Sequence, residues 1–270
     1  MIEVRELSFA YGQSPVLSGL SFTIGEGGLT ALLGCNGAGK TTLFRCMLGL
    51  LPGYTGSLRI NGREIRRCSV RELARQITWI PQSQSPTFNY SALDMVLMGT
   101  TGQTGLFSSP GARQRRTAME KLEQLGIAHL AGRGFLHLSG GERQLVLIAR
   151  ALAQQAPILL MDEPCASLDF GNQSRVMEQA RQLAHGGYTV IMSTHHPQHV
   201  LSYADRVIAL SDGRLLTGGT PGEVMNEALM RTLYGIDTTF VDSPMGRIVL
   251  PGRRRRTDRV NAQILLHACS

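Results

Sequence analysis

Gly34-Cys35-Asn36-Gly37-Ala38-Gly39-Lys40-Thr41-Thr42 decides the fold of this chain. The stretch fits the phosphate-cradling pattern G-x-x-x-x-G-K-[ST]. Leu29-Thr30-Ala31-Leu32-Leu33 leads into it and reads as a strand, and Leu43-Phe44-Arg45-Cys46-Met47-Leu48 follows and reads as a helix. Strand, glycine-rich loop and helix in that order are the context the motif needs. Glycines let successive backbone N–H groups converge with no Cβ in the way. The helix N-terminus adds its dipole to the same anion site. The loop residues Gly34, Asn36, Gly37, Ala38, Gly39 and Thr42 would wrap a triphosphate. Lys40 would reach its β- and γ-phosphates, and Thr41 would offer a hydroxyl to Mg²⁺. A glycine-rich turn ahead of an ordinary helix is the plainer reading, and the flanks argue against it.

The chain has 270 residues, enough for one large domain or a domain with a small lobe. Apolar residues make up 43%, as in ordinary globular proteins. No apolar run reaches the roughly 18 residues of a membrane-crossing helix. Met1-Ile2-Glu3-Val4-Arg5 reads as the start of a strand and lacks the layout of a signal peptide. Cys35, Cys46, Cys68, Cys165 and Cys269 form no C-x-x-C pair and fit neither zinc nor a disulfide framework, which suits a reducing cytosol. Cys35 is a candidate for alkylation rather than a nucleophile. The net charge is +7, and four of the arginines stand together as Arg253-Arg254-Arg255-Arg256. Such a run reads first as a solvated tail and second as attraction to an anionic membrane or partner.

Short strands and turns are expected over residues 1–80, with Asn61-Gly62 as a hairpin signal and Ile77-Thr78-Trp79-Ile80 as a strand closed by Pro81. Residues 83–137 change character. A short apolar segment, Ser91 to Met98, precedes a loose Gly/Ser/Pro stretch and a polar helical segment from Arg113 to Leu125, which together suggest an inserted helical lobe. Gly140 to Gln154 carries Leu145, Ile148, Ala149 and Leu152 at helical spacing. Pro157 to Met161 and Tyr188 to Met192 are continuous apolar runs, as in strands covered on both faces. Asp212-Gly213 signals a second hairpin. After Thr220 come a helix, a strand-like patch at Thr239 to Val241 and Arg247 to Leu250, and the basic tail.

Two acids, Asp162 and Glu163, close the run Ile158-Leu159-Leu160-Met161. Acids at the C-terminal end of a parallel strand face the ligand crevice. Beside a phosphate loop the first suits Mg²⁺ and the second suits activation of the attacking water. Leu138-Ser139-Gly140-Gly141-Glu142 opens the apolar helix. Ser139 and Glu142 have the spacing of a capping box. The two glycines weaken a helix start by about 1 kcal/mol each. No structural demand for them is visible in the sequence, so close backbone approach to an anion is the expected reason.

Leu-Ser-Gly-Gly-Glu between a phosphate loop and an Asp-Glu-Pro strand end resembles the signature of ATP-binding cassette ATPases. The resemblance covers roughly residues 1–225. It implies an α/β fold: a P-loop NTPase core with a mixed β-sheet, an antiparallel β subdomain and an inserted α-helical subdomain. It also implies a division into core residues 1–82, a helical insert 83–137, the second part of the core 138–225, and an extension 226–270. Tyr11 would stack on adenine, Gln82 would sense Mg²⁺ and the membrane partner, Asp169 would lie in the loop exchanged across a dimer, and His195 would act as the switch at the γ-phosphate. From the residues alone His195 and His196 are not distinguishable; the pattern picks His195. By the same resemblance Lys40, Glu163 and His195 are catalytic, and Thr41, Gln82 and Asp162 hold Mg²⁺. Ser139, Gly140 and Gly141 of a second copy would close on the ATP bound by the first, giving a head-to-tail homodimer.

The run Leu138 to Leu152, with Leu168-Asp169-Phe170-Gly171-Asn172-Gln173, is similar to importer ATPases for iron-siderophore, haem, cobalamin and molybdate or tungstate. The expected protein is therefore an ATPase, a translocase subunit peripheral to the cytoplasmic face of the cell's inner membrane. Its partners would be a permease dimer, contacted through Ser85-Pro86-Thr87-Phe88-Asn89-Tyr90-Ser91, and, indirectly, a periplasmic or extracellular binding protein. An exporter ATPase or a soluble non-transport cassette is the alternative, and no nucleic-acid partner is expected. Cys165 departs from the threonine usual after Asp-Glu-Pro.

Overall fold

The structure, a computed structural model, describes residues 1–82, 88–103, 110–244 and 246–252. It divides into two compact units, Met1–Val224 and Met225–Ser270. In the first, β1 (Ile2–Tyr11) and β2 (Ser14–Ile24) form an antiparallel hairpin. β3 (Leu29–Leu33) runs into the glycine-rich loop and α1 (Lys40–Met47) leaves it. β4 (Thr55–Ile60) and β5 (Arg63–Glu64) join the hairpin in a sheet of order β2-β1-β4-β5. α2 (Val70–Ala74), β6 (Ile77–Ile80), α3 (Ala92–Leu97), α4 (Ala112–Gln124) and α5 (Gly140–Ala153) follow. β7 (Ile158–Asp162), α6 (Phe170–His185), β8 (Thr189–Thr194), α7 (Pro197–Tyr203), β9 (Arg206–Ser211), β10 (Arg214–Gly219) and α8 (Pro221–Val224) complete the unit. Its main sheet has the order β10-β9-β3-β8-β7-β6. It is parallel throughout except for β10, which pairs antiparallel with β9.

Alternation explains why the central strands read as unbroken apolar runs. Leu159 and Met161 of β7 and Val190 and Met192 of β8 pack into one core with α3, α4, α5 and α6. Ile158, Leu160 and Ile191 point the other way, into a second core with α1 and the β1–β2 hairpin. Successive side chains leave opposite faces of a strand, so a sheet covered on both sides needs apolar residues at every position. Each fully buried Leu, Ile or Phe contributes about 1.5–3 kcal/mol to this sandwich.

The first hairpin differs from the short strands expected over residues 1–80, which β3 to β6 match. β1 has 10 residues and β2 has 11. Register shifts between Val4 and Ala10 break the alternation along β1, and with it the period-2 signal in the sequence. The two hairpin signals hold. Asn61 and Gly62 both have positive φ, as do Asp212 and Gly213, which is the type I′ geometry.

In the second unit α9 (Glu227–Tyr234) is closed by Gly235 at φ 66°, and β11 (Thr238–Ser243) pairs antiparallel with β12 (Gly246–Pro251). Arg253–Arg256 and Cys269 lie outside the described residues. Among the described residues no helix is long and apolar enough to cross a membrane.

Candidate active site

The parallel register brings three strand ends together. Leu33 of β3 pairs with Thr194 of β8, and Asp162 of β7 pairs with Ser193. The Gly34 N–H donates to the Thr194 carbonyl at 3.2 Å, which fixes the start of the loop. Gly39 sits at φ 93°, and a Cβ there would lie 2.7 Å from Leu17 Cδ2. Gly39 also caps α1 without a side chain, so the first N–H groups of that helix face the loop's concavity. Lys40 is 5% exposed, and its ammonium donates to the carbonyls of Gly34 at 2.7 Å and Cys35 at 3.0 Å.

The two carboxylates occupy different environments. Asp162 is buried, accepting from Thr41 Oγ1 at 2.8 Å and from Ser193 Oγ at 2.6 Å. Ser193 Oγ in turn accepts the Glu163 N–H at 2.9 Å. Glu163 has φ 45°, a left-handed conformation that costs a non-glycine residue about 1–3 kcal/mol. Three groups meet its carboxylate: Lys40 Nζ at 3.2 Å from Oε1, and Gln82 Nε2 at 3.3 Å and His195 Nδ1 at 3.2 Å from Oε2. Thr41 and Asp162 thus present hard oxygen donors in direct contact with one another, a donor set that suits Mg²⁺.

The His195 ring lies 4.1 Å from that of His196, which lies 5.0 Å from that of His199. Burial, then the neighbouring His196 and His195, push His199 down to about 4. Burial, then His195, hold His196 below its ordinary value against the pull of Glu163.

A cleft of about 480 Å³ is lined by Tyr11, Val16, Asn36 to Thr42, Gln82 and Glu163. Tyr11 is 44% exposed and stands edge-on to Phe9 at 4.9 Å, with its hydroxyl 3.5 Å from Arg45 Nη1. Ser139, Gly140, Gly141 and Asp169 do not line this cleft. Ser139 and Glu142 form the capping box that their spacing predicts, with Ser139 N–H donating to Glu142 Oε2 at 2.8 Å. Asp169 caps α6 through the Asn172 N–H at 2.9 Å, and this bond holds its carboxyl below the usual range.

Gly141 requires a correction. A Cβ there would lie 2.1 Å from Asn172 Oδ1 and 2.9 Å from Asn172 Cβ, so packing against α6 demands the glycine. At Gly140 the nearest atom would be Leu168 Cδ2 at 3.1 Å. Of the segment expected to meet a permease, residues 85–87 lie outside the described residues. Phe88 is 66% exposed, and its ring meets that of Tyr90 edge-on at 6.1 Å. Asn89 between them accepts the Leu136 N–H at 2.9 Å, and the Tyr90 carbonyl accepts the Phe135 N–H at 2.8 Å. This segment is therefore tied to the turn that precedes Ser139.

Sequence reasoning missed Ser193, Val16 and Asn172. Only Ser193 left a signal: it follows the apolar run Val190-Ile191-Met192 in a fully buried strand.

The family model for the ABC transporter matches residues 17–166. The hemin import ATP-binding protein HmuV of Jannaschia sp. (strain CCS1) is 37% identical over 267 residues, which cover 95% of this chain and 96% of that protein. The probable iron chelatin transport ATP-binding protein of Helicobacter pylori (strain ATCC 700392 / 26695) is 36% identical over 236 residues, covering 87% and 92%. Among solved structures, an ABC transporter assigned to the metal-chelate type, in an inward-facing conformation, has a chain with TM-score 0.84 at 30% identity, covering 94% and 97%.

Proposed function

Because the chain belongs to the ABC transporter family, we propose that it is the ATP-hydrolysing subunit of an importer for haem or another iron chelate. Its ATPase activity is coupled to transport. The observation that supports the hydrolytic roles best is the convergence of Lys40, Gln82 and His195 on Glu163, beside the Thr41–Asp162 contact.

In this reading the loop Gly34 to Thr42 binds the triphosphate and Lys40 neutralises its outer phosphates. Glu163 takes a proton from the attacking water, and His195 orients Glu163 and the terminal phosphate. Tyr11 stacks on the adenine. Thr41, Asp162 and Gln82 hold Mg²⁺, which when bound neutralises charge on the phosphate oxygens. Ser139, Gly140 and Gly141 act on the nucleotide of a second copy, and Asp169 lies at that interface. ATP carries a phosphate that ADP lacks, so it favours the closed pair differentially.

A separate permease supplies the membrane path, and the exposed Phe88 and Tyr90 are its docking site. The subunit then sits on the cytoplasmic face of the membrane, with a substrate-binding protein acting on the far side. The near-full-length likeness to a hemin import ATP-binding protein supports haem or iron-chelate cargo over cobalamin or molybdate. The test is uptake in a strain lacking the gene. Wild-type protein should restore accumulation of labelled haem or ferric siderophore, and Glu163→Gln should not. Phosphate release by that variant should be about 10²–10⁴-fold slower, the usual loss on removing a general base. Unchanged haem and siderophore uptake in the deletion strain would overturn the cargo assignment.

A further inference from the structure

A second cleft lies on the four-stranded sheet, built from β4, β5 and the residues around α2. It holds about 640 Å³ and is lined by Arg59, Arg63, Arg66 and Arg67. An adjoining hollow of about 390 Å³ shares Arg63, Cys68 and Glu72 and adds Arg75. None of these residues lines the cleft around Lys40. From Ser57 to Gln76 the chain has six arginines, no lysine and two carboxylates, Glu64 and Glu72.

Both carboxylates line the same hollow, and Glu64 lies 3.4 Å from Arg66 Nε. Glu64 accepts from Ser57 Oγ at 2.7 Å, Tyr54 Oη at 3.1 Å and the Leu58 N–H at 3.3 Å. Glu72 completes a capping box with Ser69 at 2.8 Å. On the neighbouring strand Glu3 stands opposite Arg59 in register, but Arg5 binds it at 3.0 Å. Arg59 and Arg63 reach carboxylates only at 3.8 Å and 3.9 Å, beyond hydrogen-bond range. Arg67 has no hydrogen bond or ion pair among the described residues. Arg66 is the fixed member. Its guanidinium lies 4.5 Å over the Tyr54 ring and donates to the Tyr54 and Gly56 carbonyls at 3.1 Å and 2.7 Å.

Four guanidinium groups share this hollow with two carboxylates, which leaves a positive surplus that a further anion would offset. Arginine's planar fork matches phosphate oxygens in pairs, and a concave wall concentrates the field of its charges. We propose that this hollow binds a phosphate-bearing anion, gripped by Arg63 and Arg67 and flanked by Arg59 and Arg66. The same chemistry is offered by an anionic phospholipid headgroup and by a free phosphate compound.

Cys68 lines both hollows with a free, partly buried thiol, so its alkylation reports occupancy locally. The full chain, with its Lys40 loop saturated by ADP, is treated with maleimide and read by peptide mass spectrometry. Cys35 in the same digest monitors the other phosphate site. Probes are phosphatidylcholine vesicles with and without phosphatidylglycerol, and sodium pyrophosphate. Slower Cys68 alkylation with phosphatidylglycerol alone identifies a headgroup site; slower alkylation with pyrophosphate alone identifies a soluble ligand; protection by both supports the shared chemistry. Arg63→Gln/Arg67→Gln should raise the protecting concentration roughly thirty-fold, as expected for two arginines at an anionic surface. Arg214→Gln, an exposed arginine outside the hollow, should leave it unchanged. No protection by any probe, or equal loss in the double variant and Arg214→Gln, would overturn the proposal.

Discussion

Ser193 sets two carboxylates with one hydroxyl. It donates to Asp162 and accepts from the strained backbone of Glu163, so it governs where both acids stand. A hydrogen bond to a charged group is worth about 1.5–3 kcal/mol. We expect Ser193→Ala to lower turnover by about 10–100-fold, to raise the Mg²⁺ concentration needed for half-maximal rate, and to leave the KM for ATP closer to wild type. Ser193→Thr should recover part of the loss. An Mg²⁺ titration of phosphate release checks this, and a coincident curve for Ser193→Ala would contradict it. His199 makes a statement about acid. Its folded value near 4 lies below the ordinary 6.5, so between those limits the unfolded chain binds a proton that the folded chain refuses. Stability therefore falls as pH drops through that window. Glu142 and Asp169 act in the same sense at lower pH, since hydrogen bonds hold both carboxyls down and their stabilisation is lost as they protonate. Thermal unfolding followed from pH 7 to pH 4 should show a shallower decline in His199→Gln than in wild type.

At the scale of elements, the approach of α5 to α6 is one tight constraint. Gly141→Ala should destabilise the protein by about 1–3 kcal/mol, the cost of overpacking, because Asn172 is in the way with its Cβ as well as its amide. Asn172→Ala should relieve the clash with the amide while leaving the contact with its Cβ. A double-mutant cycle on melting temperature will show coupling if the clash is the cause, and additive losses would mean that it is not. The same pair explains what was legible in the sequence. The phosphate loop, the capping box, both type I′ turns and the buried strands each announce themselves within a few neighbouring residues. The packing demand on Gly141 was not legible because Asn172, which imposes it, lies 31 positions on. Ser193 and Asp162 are likewise separated by 31 residues and meet only through strand register. The length of the first hairpin was hidden by bulges that spoil its alternation. Local chemistry is written locally; contact between distant elements is not.

For the molecule as a whole, the cleft offers one face to a nucleotide, while the tip of α5 stands apart from it. We expect Glu163→Gln to sediment as a dimer with ATP and as a monomer with ADP. Gly140→Asp, which places a negative charge at that tip, should abolish the dimer without weakening ATP binding by the single chain. Dimer formation equal in both nucleotides would contradict the exchange of tips. The two-sided central sheet has a further consequence. Adjacent positions on β7 answer to different neighbours, Leu159 to helices and Leu160 to the layer that grips phosphate. A substitution on one face meets a different set of neighbours from one on the other. A lineage is therefore free to remodel the helices on one side of the sheet while the phosphate-gripping layer stays as it was.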